Sequence, residues 1–216
     1  MGTPLDLIVG LGNPDPEHLA TRHNAGFWFA DLLAREHGGS FSRERKLNGE
    51  TAEIRIAGHR IRLLKPMTYM NLSGQSVSAA VSYYKIPVEH VLVAYDELDF
   101  PVGRVQLRFD GSSAGHNGVG NVIEHVGPKF WRLRFGVGHP RDARGGAGRR
   151  DVIDHVLKRA SASDEQQILD CLADAAAALP VFIGQGAERA KSKLHKPKKA
   201  PEAGNAASKD NDGKAG

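Results

Sequence analysis

Short apolar segments recur along most of the chain and predict the strands of a sheet. Residues 5–11 and 91–95 are continuous apolar runs, which are typical of strands that are buried on both faces. Residues 51–56 and 60–65 alternate between apolar and polar side chains and predict a hairpin that turns at Ala57-Gly58-His59. Two further strands are predicted at residues 105–109 and 133–137.

Helical spacing of apolar residues predicts helices between these strands. The predicted helices cover residues 21–37, residues 71–84 or 73–84, residues 119–125 and residues 163–183. Gly38 ends the first helix, and Ser163 is the expected N-cap of the last one. Because helices alternate with strands and one hairpin is present, we predict a single α/β domain with a twisted mixed β-sheet flanked by helices.

The C-terminal end differs in composition from the rest of the chain. From Lys196 onward the residues are small, polar or charged, with no large apolar side chain, so we expect residues 196–216 to be disordered and residues 1–195 to form the domain. Residues 186–216 hold 8 basic and 4 acidic side chains, whereas the preceding residues hold 21 of each. A basic tail on a neutral body suits either a bound polyanion or a solubilising segment.

Cysteine content and hydropathy bear on the compartment. Cys171 is the only cysteine, which excludes an internal disulfide and a cysteine-cluster metal site and favours a reducing cytoplasm. No continuous apolar run reaches the roughly 18 residues of a membrane helix, so we expect no membrane partner. The N-terminus lacks a basic leader, and we interpret it as carrying no targeting segment.

Five polar clusters stand where strands are predicted to end or helices to begin. They are residues 10–14 (GLGNP), 21–24 (TRHN), 70–74 (MNLSG), 96–99 (DELD) and 115–118 (GHNG). Ligands of open α/β sheets bind at the carboxyl ends of strands, so we expect these clusters to share one crevice. The first cluster lacks the third glycine of a dinucleotide fingerprint, and we therefore expect no nucleotide cofactor.

His23 is the residue best suited to proton transfer. It stands at the start of the first predicted helix, where the helix dipole disfavours the imidazolium and a carboxylate would favour it. A histidine poised near neutral pH can take a proton from water. Asp96 is the best candidate to fix its tautomer. A surface or capping role is the alternative interpretation of His23 considered alone.

Other catalytic chemistries have no signal in the sequence. Cys171 has the spacing of a core residue, and the chain contains neither a G-x-S-x-G elbow nor an HExxH sequence. His116, His139 and His155 lack metal-ligand spacing and are interpreted as structural. We therefore predict histidine-activated water without a metal or cofactor. Three asparagines offer amides that can bind a peptide and a developing oxyanion: Asn13, Asn71 and Asn117.

These clusters, in their order and spacing, resemble the signatures of the bacterial-type peptidyl-tRNA hydrolase family. The first signature is carried by residues 9–14 and 21–26, and the others by residues 67–74, 96–99 and 115–118, with residues 135–140 downstream. The resemblance spans roughly residues 5 to 195. It implies a monomeric, cytoplasmic, metal-free enzyme that hydrolyses the ester between peptide and tRNA and needs no obligate protein partner.

The resemblance also implies roles for matching positions. His23 is the expected general base, Asp96 its partner, and Asn13 the residue that distinguishes peptidyl from aminoacyl substrate. The remaining positions are expected to bind substrate or tRNA: Asn71 and Asn117 at the peptide and scissile bond, Tyr69 at the terminal nucleotide or peptide, His18 at tRNA, and Arg108 and Arg134 at the tRNA 5′-phosphate.

Two positions and one loop depart from the family pattern; the loop, residues 111–114, is slightly less glycine-rich than usual. Asp15 stands where glycine is usual, and His18 where tyrosine is usual, although histidine can still stack or hydrogen-bond. The alternative function is that of a catalytically silent RNA-binding relative that acts in splicing. Such a protein is expected to have lost a catalytic side chain, whereas this chain retains His23, Asp96 and the three asparagines.

Overall fold

The protein, described by a computed structural model over residues 1–140 and 148–194, is built on one sheet. Its strands are β1 Leu7–Gly10, β2 Ser42–Glu44, β3 Gly49–Ile56, β4 His59–Pro66, β5 Val91–Glu97, β6 Val105–Phe109 and β7 Trp131–Gly136. They are ordered β2-β3-β4-β1-β5-β7-β6. The four central strands are parallel, whereas β2, β3 and β6 run antiparallel to their neighbours. The predicted mixed sheet is confirmed.

Helices cover both faces of the sheet. They are α1 Ala25–Glu36, α2 Ser73–Tyr84, α3 Asn117–Val126, α4 Arg149–Val156, α5 Ala162–Gln185 and α6 Ala187–Leu194. One apolar cluster joins α1 and α5 to the sheet and includes Ile8 and Phe29. The other joins α2 and α3 to the opposite face and includes Leu7, Val9 and Val122. Successive residues of β1 therefore serve different cores, which explains its uninterrupted apolar sequence.

Several element boundaries differ from the sequence prediction. Strand β5 extends through Asp96 and Glu97 instead of ending before them, because the backbone of both residues pairs with β7. The N-cap of α5 is Ser161 and not Ser163: its hydroxyl accepts the backbone N–H of Asp164 at 3.1 Å. The hairpin turn is reduced to Ala57-Gly58, both with positive φ, as a tight two-residue turn requires.

Helix α5 is the one element, among the described residues, with the length and composition of a membrane span. It has 24 residues, and 50% of its most apolar window is buried inside the protein. Its buried side chains, among them Ile168, Leu172 and Phe182, pack on the sheet. A helix that buries one apolar face against a sheet in this way is typical of a protein core. The tail predicted at residues 196–216 lies outside the described residues.

Candidate active site

The predicted polar clusters meet at the carboxyl edge of the central strands. Asn13 follows β1, Asp96 lies near the end of the adjacent parallel strand β5, and His23 occupies a 3-10 turn that leads into α1. Gly26 allows this close approach, since a Cβ there would lie 2.4 Å from the backbone nitrogen of Leu11. The packing of α1 against the end of β1 therefore places His23 over the sheet edge.

His23 and Asp96 form a buried pair. Nδ1 of His23 lies 2.9 Å from Oδ1 of Asp96. The two side chains are 12% and 2% exposed. Because a carboxylate only accepts hydrogen bonds, the proton on Nδ1 faces Asp96, and Nε2 is left as the basic nitrogen of the neutral ring.

The charges of the pair shift both pKa values. Burial alone lowers the pKa of His23, but the negative charge and hydrogen bond of Asp96 outweigh burial and leave that pKa above its usual 6.5. Burial alone raises the pKa of Asp96, but contacts with His23 and His116 hold it far below its usual range. Asp96 therefore stays ionised throughout the pH range in which His23 titrates.

His116 contacts the same carboxylate, which the sequence reasoning missed. Its Nε2 lies 3.1 Å from Oδ1 of Asp96, and its Nδ1 accepts the backbone N–H of Val119 at 3.2 Å as the N-cap of α3. The structural role that we predicted for His116 is therefore incomplete. The available signal was its place in the fifth polar cluster, directly before Asn117.

Asn13 is held by two other segments of the edge. Asn24, which is fully buried, accepts the backbone N–H of Asn13 and donates to its carbonyl oxygen, both at 2.9 Å. The Oδ1 of Asn13 accepts the backbone N–H of Met70 at 3.0 Å. The orientation of the Asn13 amide is thus fixed, with Oδ1 toward Met70 and Nδ2 available as a donor. Asn24 is a second residue that sequence reasoning did not single out.

The other predicted substrate-binding residues lie on the rim. Tyr69 is 64% exposed, and Asn71 and Asn117 are also exposed. His18 is half-buried, with Nε2 4.0 Å from a carboxylate oxygen of Glu17. The structure therefore presents these side chains to solvent, where substrate can reach them.

The two predicted phosphate-binding arginines have different surroundings. Arg108 is exposed on edge strand β6. Arg134 is instead engaged: Nε and Nη2 donate to Oε2 of Glu97 at 2.9 and 2.6 Å, and Nη1 donates to Gln106 at 2.7 Å. A phosphate at Arg134 has to compete with a buried carboxylate. Its phosphate contact stays a prediction.

A cavity of 290 Å³ opens beside the His23–Asp96 pair. His23, Asp96 and His116 line one side, and apolar residues of α4, among them Val152 and Ile153, line the other. Helix α4 was not predicted: it has only eight residues, four of them charged, and only three apolar ones to mark a helical face. The cavity gives the basic nitrogen of His23 a partly apolar surrounding, in which charge interactions are stronger than in water.

Arg22 anchors the segment that follows α4. Its guanidinium donates to the carbonyl oxygens of His155, Lys158 and Arg159 and pairs with Asp164 at 3.1 Å. Since Arg22 precedes His23 in the chain, it joins the turn that holds His23 to the wall of the cavity.

His23, Asp96 and His116 also have the composition of a metal centre. Their ligand atoms lie within 4.8 Å of one another. Each imidazole nitrogen that faces Asp96 is, however, at hydrogen-bond distance from the carboxylate, and the cap formed by His116 requires its proton on Nε2. The arrangement is that of two imidazole N–H groups that donate to one carboxylate oxygen, Oδ1 of Asp96.

A buried histidine–aspartate pair that faces a cavity at the carboxyl edge of a mixed α/β sheet has the arrangement of a hydrolytic active site. The comparisons with known proteins agree. The family model described as peptidyl-tRNA hydrolase matches residues 7–202. The chain belongs to the peptidyl-tRNA hydrolase family.

Solved structures support this assignment. A peptidyl-tRNA hydrolase from Acinetobacter baumannii is 38% identical, with a TM-score of 0.84, and the match covers 90% of this chain and 96% of that chain. A single-residue variant of that bacterial enzyme is 39% identical, with the same TM-score of 0.84 and the same coverage of 90% and 96%. The predicted family and function are thereby confirmed, and the alternative of a silent RNA-binding relative is not favoured.

Proposed function

We propose that the protein hydrolyses the ester bond that joins a peptide to the 3′ end of tRNA, with water activated by His23. The observation that carries this proposal is the buried His23–Asp96 pair, in which Nε2 is the basic nitrogen. Water attacks the ester carbonyl carbon while Nε2 takes its proton. The tetrahedral intermediate then expels the ribose oxygen, which receives that proton from the imidazolium. Asp96 stabilises the imidazolium between the two steps.

Asn13 is the proposed specificity determinant. Because its Oδ1 is occupied by the N–H of Met70, the amide offers Nδ2 as a donor. A peptidyl substrate presents a carbonyl oxygen next to the esterified residue, whereas an aminoacyl substrate presents an ammonium group, which is itself a donor. The mismatch of two donors and the desolvation of a charge disfavour the aminoacyl substrate by several kcal/mol, on the order of a buried unpaired polar group.

The rim residues are proposed to bind the rest of the substrate. The exposed amides of Asn71 and Asn117 suit the peptide and the scissile region, and the exposed ring of Tyr69 suits stacking on the terminal nucleotide or packing on the peptide. His18 is proposed to contact tRNA. Arg108, exposed on the edge strand, is the better phosphate contact, because Arg134 is engaged in an ion pair with Glu97.

We further propose that hydrolysis needs no metal. A metal on Nε2 of His116 would leave the proton of the neutral ring on Nδ1, and the cap on Val119 would then be lost. Binding at Nδ1 of His23 would move its proton to Nε2 and remove the base. A cytoplasmic monomer without cofactor, membrane or obligate protein partner is proposed from the family resemblance.

The test is a hydrolysis assay on an N-acetyl-aminoacyl-tRNA and on the same tRNA with a free amino group. We expect cleavage of the acetylated substrate and sparing of the free one, with rates unchanged after prolonged EDTA treatment. Equal rates on both substrates contradict the role of Asn13. Activity that EDTA removes and zinc or magnesium restores contradicts the metal-free mechanism.

A further inference from the structure

The fifth polar cluster brings a second histidine, His116, to the carboxylate of Asp96, and the mechanism above leaves this histidine without a role. We propose that His116 is a positioning residue of the hydrolysis. Its Nε2–H donates to Oδ1 of Asp96, the same oxygen that accepts from His23, and so fixes the carboxylate that orients His23. The inference rests on the proposed function, because it concerns the same catalytic base.

Both imidazoles bind one oxygen atom of Asp96. The distances to Oδ1 are 2.9 Å from Nδ1 of His23 and 3.1 Å from Nε2 of His116. The side chain of Asp96 is 2% exposed, so bulk water has little access to replace either donor. The position of this carboxylate, and through it the orientation of His23, therefore depends on His116.

The backbone of α3 fixes which nitrogen of His116 carries its proton. Nδ1 accepts the N–H of Val119, so the proton of the neutral ring is on Nε2, where it faces Asp96. Capping the helix and holding the carboxylate thus require the same tautomer. The contact also connects the start of α3, where Asn117 lies, to the catalytic pair.

Besides Asp96, His116 is the titratable side chain that packs against His23 among the described cavity-lining residues. Tyr95 contacts the ring of His116 at 5.0 Å between centroids, and Glu97, which also lines the cavity, is bonded to Arg134. From α4, the described cavity-lining residues are the aliphatic Val152, Ile153 and Val156. Among the described lining residues, Asp96 and His116 are therefore the titratable groups that contact His23.

Because Oδ1 of Asp96 accepts from two donors, it stabilises the imidazolium of His23 less than it would if it accepted from His23 alone. When the donor of His116 is removed, more negative charge on Oδ1 acts on His23, and its imidazolium is stabilised. His23 then loses its proton at higher pH, so the acidic limb of the pH–rate profile moves upward. A purely structural role in the helix cap predicts a loss of stability without this shift.

Two substitutions separate the roles of the two nitrogens. In His116→Asn the amide oxygen can replace Nδ1 as the cap of α3, but the side chain is too short to reach Asp96. In His116→Gln the amide N–H can replace Nε2 as donor, while the cap is weakened. We expect His116→Asn to shift the acidic limb of the kcat/KM profile to higher pH by about 0.5 pH unit or more. We expect His116→Gln to keep the acidic limb at the wild-type pH but to have a lower thermal stability.

His90→Asn is the matched control. His90 forms a similar pair with Asp6, at 2.7 Å, near the opposite ends of the strands, and its replacement is expected to leave the profile unchanged. The pH titration of His23, followed by NMR of the imidazole in the same variants, gives the shift without substrate. The proposal is overturned if the acidic limb of His116→Asn coincides with that of the wild type. It is also overturned if the acidic limb shifts equally in the Asn and Gln variants. Failure of the proposed function is distinct, since the wild type itself would then not hydrolyse the acetylated substrate.

Discussion

Removal of the Asn24 amide is expected to weaken both stability and substrate discrimination. Asn24 is fully buried and makes two hydrogen bonds of 2.9 Å to the backbone of Asn13. Asn24→Ala leaves a buried N–H and a buried C=O without partners, each of which costs about 1–3 kcal/mol. We therefore expect a loss on the order of 3 kcal/mol in the free energy of unfolding, a substantial part of a domain's 5–15 kcal/mol.

The loss of discrimination follows from the loosened Asn13. Once its backbone is no longer fixed by Asn24, the donor Nδ2 is no longer held toward the peptide carbonyl. The ratio of kcat/KM for N-acetyl-aminoacyl-tRNA over aminoacyl-tRNA should fall by about tenfold or more. Urea unfolding and the two hydrolysis rates, measured on the same preparation, test both parts.

Ser76→Ala is the control for removing a buried polar group. Ser76 is fully buried in α2, and among the described residues its hydroxyl has no hydrogen-bond partner. Its removal should leave stability and specificity near wild type. If Asn24→Ala loses stability but keeps the full specificity ratio, then the fixed orientation of Asn13 does not determine discrimination, and our account of specificity is refuted.

Three further variants test the arginines and the carboxylate. Arg108→Ala should raise KM more than it lowers kcat. In a salt series, the slope of log KM against log salt concentration should be smaller than that of the wild type by about 0.9. Arg134→Ala should instead destabilise the fold by about 3 kcal/mol in urea unfolding, because Glu97 is left buried and unpaired; an unchanged stability would contradict the ion pair. Asp96→Asn should shift the acidic limb to lower pH, since burial lowers the pKa of His23 and the charge of Asp96 raises it; coincident profiles would mean that Asp96 does not tune His23.

Much of the fold and the meeting of the polar clusters could be predicted from local pattern. The apolar runs of β1 and β5 mark strands that are buried on both faces, and such strands are central and parallel. Polar residues that follow central strands converge at one edge, which is why the proximity of Asn13, His23 and Asp96 could be anticipated. Tyr69 and Asn71 are exposed, and the substrate contacts expected of them stay predictions.

The missed features depend on pairings between distant segments. Arg134 meets Glu97 because β7 lies beside β5 with Tyr95 opposite Arg134, a register that the sequence does not state. His116 reaches Asp96 only because α3 begins over the end of β5. Likewise, Asn24 gains its role from the packing of α1 against β1, since a buried amide is indistinguishable from a surface one by local pattern.

The central claim is that His23 is the general base of peptidyl-tRNA hydrolysis. The most direct measurement is kcat for N-acetyl-aminoacyl-tRNA with His23→Ala beside the wild type, together with the Kd of each protein for tRNA. We expect kcat to fall by at least ~100-fold, because general base catalysis contributes about 10²–10⁴-fold, while tRNA binding stays largely intact. A variant that retains wild-type kcat would contradict the assignment of the base to His23.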